Sequence, residues 1–79
     1  MNLKSIWIVF WEQDGSHDQH IWGVYSTLAY ASRAVITAGG IEPEPFWDFG
    51  KGNEPIYRSH NTNINCTYYI ERHRVEYGS

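Results

Sequence analysis

From Ile6 to Trp11 every position is apolar, with Ile6, Ile8 and Phe10 alternating with Trp7, Val9 and Trp11. β-Branched and aromatic residues dominate, which predicts a strand. Because both of its faces are apolar, this strand is either covered on both sides or leaves one face for a partner. The polar stretch Glu12 to Asp18 carries the turn signal Asp14-Gly15. His20-Ile21-Trp22-Gly23-Val24-Tyr25 then reads as a second strand, near enough in sequence to form an antiparallel hairpin with the first. Gly23 in its middle marks a bulge or the close approach of a neighbour.

Ser26 or Thr27 is a suitable helix N-cap. Leu28, Ala31, Val35 and Ala38 follow at helical spacing, and Gly39-Gly40 closes the segment. The predicted helix has about 12 residues and, with its alanines, lies close to the sheet. Residues 41–55 hold three prolines and two glycines, which rule out a long helix or a central strand. Ile56 to Ser59 reads as a third strand, Asn61 to Asn65 as a turn, and Cys66 to Tyr77 as a long last strand along a sheet edge. The pattern is ββαββ: an α+β fold with one antiparallel sheet of about four strands and one helix packed on a face. With 79 residues, the chain reads as a single domain, 1–79.

Composition sharpens this picture. A chain so short has little core, and such scaffolds usually add disulfides, a metal or another copy of themselves. Cys66 is the one cysteine, so no intramolecular disulfide forms and a reducing compartment is expected. The apolar run 6–11 is too short for a signal-peptide core or a membrane span, which makes a cytoplasmic location the expectation. Four Trp, six Tyr and three Phe exceed what so small a core comfortably hides. The net charge of −3 comes from one region: residues 1–40 carry −1, residues 41–55 carry −3 and residues 56–79 carry +1. An acidic chain without a basic stripe is a poor direct binder of nucleic acid.

Several residue groups were weighed for chemistry. His17 and His20, with Asp14 and Asp18 nearby, have ligand-like spacing, but a closed zinc site needs four ligands and paired knuckles are missing, so no metal is expected. Cys66 as a nucleophile needs a histidine base. His73 is an odd number of residues away on the same strand and so faces the other way, which leaves His60 across the turn as the one workable partner. Glu42 and Glu44 lack the concave setting that acid–base catalysis requires. Gly50-Lys51-Gly52 lacks the strand-before, helix-after context of a phosphate loop. Tyr57, Arg58, Arg72 and Arg74 mix aromatic and basic types, but Glu71 and Glu76 interleave with them and edge-strand ion pairs are the simpler account. The expectation is a protein that is not an enzyme and has no cofactor.

The remaining signal is acidic and aromatic. Glu42, Glu44, Asp48 and Glu54 surround Phe46, Trp47 and Phe49. Aromatic anchors rimmed by like charge suit a protein-binding surface, and the charge steers it to a basic partner. The competing reading has these aromatics capping the core.

Ile6-Trp7-Ile8-Val9, then Trp22-Gly23-Val24-Tyr25-Ser26-Thr27 running into an Ala-rich helix, then Tyr68-Tyr69-Ile70-Glu71, resembles short α+β domains of phages and mobile elements. The resemblance covers about residues 6–38 and 66–77 and leaves the acidic segment unmatched. In size and acidity the chain is also similar to anti-CRISPR inhibitors, some of which imitate nucleic acid in charge and block a basic groove. What the resemblance implies is a fold and an inhibitor-like role against a nucleic-acid-binding complex, with no residue carried over. The leading expectation is therefore a non-catalytic inhibitor or adaptor that binds a protein with a basic surface. The first alternative is a self-associating structural module, with a homodimer as its partner state, favoured by the two-faced strand 6–11 and the aromatic excess; the second, ranked below it, is a small metal- or thiol-dependent enzyme.

Overall fold

The computed structural model describes residues 2–47 and 54–77. Its elements in chain order are β1 (Asn2–Gln13), β2 (Gln19–Tyr25), α1 (Leu28–Thr37), β3 (Glu44–Phe46), β4 (Ile56–Asn61) and β5 (Cys66–Tyr77). The strands form one antiparallel sheet in the order β2-β1-β5-β4-β3. The class is α+β with a single antiparallel sheet, and the strand count is five rather than about four. The extra strand is β3, inside the segment that reads as irregular. Pro45 is in register with Tyr57 there, and the sheet accepts it because β3 is an edge.

β5 corrects a second expectation. It lies in the middle of the sheet, paired with β1 along its whole length, from Asn2↔Tyr77 to Gln13↔Cys66. On its other side β4 pairs with Cys66 to Ile70. The polar half after Ile70 misled the sequence reading, because that half lies beyond the β4 register and is the part with edge character.

Strand periodicity sorts the side chains. Trp7, Val9 and Trp11 of β1, Cys66, Tyr68 and Ile70 of β5, and Tyr57, Ser59 and Asn61 of β4 share the face that carries α1. Val9, Ala31, Val35, Cys66, Tyr68 and Ile70 form the buried core, with Trp7, Trp11, Tyr25, Leu28 and Tyr57 packed around it. Each large apolar side chain buried here contributes roughly 1.5–3 kcal/mol. Ala31 and Val35 are fully buried on the helix, as the predicted stripe requires, while Ala38 is exposed.

The helix ends are held by specific partners. Thr27 is the N-cap, with extended backbone, and its Oγ1 accepts from the Tyr30 N–H at 3.1 Å. At the other end Gly40 N donates to Val35 O and Gly39 N to Ile36 O, both at 3.0 Å, with Gly39 at φ +109°. This is the Schellman arrangement, and its left-handed residue favours glycine. Gly40 has a second reason: a Cβ there would lie 2.5 Å from Ser59 Oγ and 2.8 Å from Val35 Cγ1.

Two buried polar residues of β4 complete this junction. Asn61 Nδ2 donates to Ala38 O at 3.1 Å, and its Oδ1 accepts from Asn63 N at 3.0 Å. Ser59 Oγ donates to Ile41 O at 2.6 Å. Asn61 thus ties the helix C-terminus to the β4–β5 turn. Asn61→Ala should remove two part-buried hydrogen bonds to the backbone and cost about 2 kcal/mol. Urea unfolding should show this as a lower midpoint at an unchanged slope; an unchanged midpoint would show that the junction does not depend on Asn61.

Candidate protein-interaction surface

The opposite face of the sheet has no layer over it among the described residues. In strand order from β2 to β3 its side chains are Val24 and Ile21; Ile6, Ile8 and Phe10; Tyr69, Glu71 and His73; Arg58 and His60, with Ile56 buried beside them; and then Glu44 and Phe46. Its β1–β2 half is apolar. Ile21 is 64% and Val24 55% exposed, and Ile6, Ile8 and Phe10 are only half-buried. These side chains form an exposed apolar stripe.

A β-bulge builds the stripe. The β1–β2 register runs Val9↔Gly23 and then Phe10↔Ile21, so Trp22 is an extra residue on β2. Simple alternation would put Ile21 and Val24 on opposite faces; the bulge brings both to the open one. Trp22 turns to the helix side, where its ring centroid lies 5.4 Å from that of Tyr68. Gly23 fits this geometry, since a Cβ there would meet the Tyr25 ring at 2.7–3.0 Å. Sequence reasoning flagged Gly23 and the two-faced β1, but it could not join Ile21 to Val24.

The acidic-aromatic residues divide between locations. Glu44 and Phe46 are exposed on β3 and Trp47 follows them, with Trp47 57% and Phe46 38% accessible, while exposed Glu42 precedes β3 and lines a groove with Leu28, Ser32 and Ile36 of α1. They therefore do not cap the core. Phe46 packs under the Arg58 guanidinium, 4.6 Å from its ring centroid. Glu54 does not join this group: it accepts from Arg72 and has Arg74 Nη2 3.8 Å away. Asp48 and Phe49 lie outside the described residues.

Ile41, Glu44, Arg58, His60, Thr67 and Tyr69 line a recess of about 340 Å³ beside β3. Its floor is polar and ordered. His60 Nε2 lies 2.8 Å from Asp14 Oδ2, and Thr67 Oγ1 donates to Asp14 Oδ1 at 3.3 Å. Tyr69 O–H donates to Glu12 Oε2 at 3.4 Å.

The groups weighed for catalysis or metal binding are not gathered. His60 is in register with Thr67 and faces the open side, whereas Cys66 points into the core and is 1% exposed. This corrects the expectation that His60 could face Cys66 across the turn: neighbouring strand positions point to opposite faces. His20 packs its ring against Trp11, centroids 5.2 Å apart, away from a shared site with His17. Among the described residues no cluster of three or more His, Cys, Asp or Glu side chains is placed to hold a metal ion. No described helix is long and apolar enough to cross a membrane.

No protein-family model, curated protein or solved structure matches this chain. The surface must therefore be read from its own chemistry.

Burial raises the Tyr68 phenol above its ordinary value of 10.0, opposed by the Asn61 amide and reinforced by Cys66. Burial also raises Tyr69, with the Glu12 carboxylate adding to the effect. At alkaline pH the unfolded chain releases these protons before the folded one does. Stability should thus be unaffected by them below about pH 10 and fall as pH rises further. Tyr69→Phe should flatten this alkaline slope in urea titrations, and phenolate absorbance should show a late-titrating group lost in the variant. A slope identical in wild type and variant would remove Tyr69 from this role.

Proposed function

We propose that this chain is a non-catalytic protein-binding module, an inhibitor or adaptor that takes the basic surface of another protein at its β3 edge. The observation that carries this reading is the exposure of Glu44, Phe46 and Trp47 at the β3 edge, with exposed Glu42 just before it and the recess lined by Glu44, Arg58 and Tyr69 beside it. Trp and Phe supply desolvated anchor area, and the carboxylates steer approach and orient the partner. Pro43 and Pro45 suit this role, because they keep the edge from adding strands indiscriminately and leave its side chains to do the recognising. A nucleic-acid-binding protein is a suitable target class, since its groove is basic and acidic residues compete for it.

The test is affinity capture of the tagged chain from its source-cell lysate, read by mass spectrometry. The variant Trp47→Ala/Glu42→Lys/Glu44→Lys serves as the control. The expected result is one stoichiometric protein, released by salt and weakened at least about 100-fold by the triple change. If the folded variant retains every interaction of the wild type, the β3 edge is not the binding surface and the proposal fails.

A further inference from the structure

The apolar stripe on β1 and β2 lies across the sheet from the β3 edge and has its own chemistry. We propose that a second copy of this chain covers it, packed face to face about a two-fold axis that stacks the two β1 strands antiparallel over Ile8 and Phe10. Since the β3 edge is a different surface, this inference and the preceding proposal can fail independently.

Charge placement identifies the occupant. Lys4, Ile6, Ile8, Phe10 and Glu12 alternate onto the open face along β1. Lys4 and Glu12 are each four residues from Ile8, so the stripe has a cation at one end and a carboxylate, with Asp14 just beyond it, at the other. Antiparallel stacking about the middle of β1 sets Lys4 of each copy over the Glu12–Asp14 end of the other, twice in one dimer. The centre between them, Ile6, Ile8, Phe10, Ile21 and Val24, carries no charge. Such a patch is self-complementary, as an isologous interface requires. Glu71 is the acidic residue beside the stripe, and His73 Nε2 lies 3.4 Å from its carboxylate.

The small size of the domain points the same way. Among the described residues the buried core cluster is small: Val9, Ala31, Val35, Cys66, Tyr68 and Ile70. The lone Cys66 excludes an intramolecular disulfide, and no metal cluster is gathered among the described residues. Of the usual staples for so small a domain, association remains, and a second copy is present wherever the first is. Aligned packing of two sheets about 10 Å apart is an ordinary way to bury such faces.

Sedimentation equilibrium of the purified chain, from low to high micromolar concentration, is the first measurement. The expected result is a concentration-dependent dimer that Phe10→Ser abolishes while the circular dichroism spectrum stays native. Charge reversal then tests the geometry. Lys4→Glu and Glu12→Lys should each weaken dimerisation about tenfold, because like charges then meet at both ends. Mixing these two variants should restore it, since each end of the mixed pair then holds opposite charges. A chain that stays monomeric throughout overturns the inference, as does a dimer indifferent to Phe10→Ser. Single-variant losses without recovery in the mixture overturn the antiparallel stacking. A monomer whose stripe is protected from exchange only by a captured foreign protein assigns the surface to that protein instead.

Discussion

A single ten-residue helix, about 15 Å long, can cover only one side of a five-stranded sheet about 24 Å wide. The rest of the molecule follows from that disproportion. The side under α1 becomes the core, and it is narrow enough that Val9, Val35 and Ile70 suffice at its centre. The other side must either be polar or be met by something else. It is polar towards β4, where Arg58 and His60 stand, and apolar towards β2, where Ile21 and Val24 stand. The two halves of the open face therefore differ in chemistry.

The helix also fails to reach the far end of its own side, and polar groups take over there. Ser59 and Asn61 occupy inward positions on β4 that would be aliphatic under a longer helix. They serve as bound ends for Ile41 and Ala38 carbonyls, and among the described residues no buried side-chain nitrogen or oxygen lacks a partner. Each such bond is worth about 1 kcal/mol net, but an orphaned carbonyl in the same place would cost more. The junction therefore contributes to specificity of geometry as much as to stability: it fixes where α1 stops and where the chain enters β3.

Local features were readable because local chemistry decides them. Thr27 and Gly39 bound the helix through capping and a left-handed residue, and Asp14-Gly15 sets the hairpin turn, with Gly15 at φ +85°. Cys66 to Tyr77 shows its strand character in its own residues. What escaped reading depends on pairing. Glu44–Phe46 becomes a strand because β4 offers it an edge, and nothing in Glu-Pro-Phe announces that. The central place of β5 depends on β1, far away in sequence. At the surface, Glu54 is separated from Glu44, Phe46 and Trp47 by its pairing with Arg72, a residue of another strand. The stripe joining Ile21 to Val24 depends on one unpaired residue, Trp22, and periodicity alone gives the wrong face.

The β1–β5 ladder has a consequence for how the chain acquires its structure. Asn2 pairs with Tyr77 and Gln13 with Cys66, so the partners in the middle of the sheet are separated by 75 to 53 residues. The β1–β2 hairpin and the helix close early through short loops, but they close onto a sheet that lacks its middle. Loop-closure entropy must be met before these distant contacts give anything back, and chains dominated by such pairings fold in milliseconds to seconds rather than microseconds. During synthesis β1 and β4 stay unjoined, and Val9 lacks its partner Ile70, until residues 66–77 have emerged. Its apolar strands therefore face their greatest hazard of meeting a wrong neighbour before the molecule is finished.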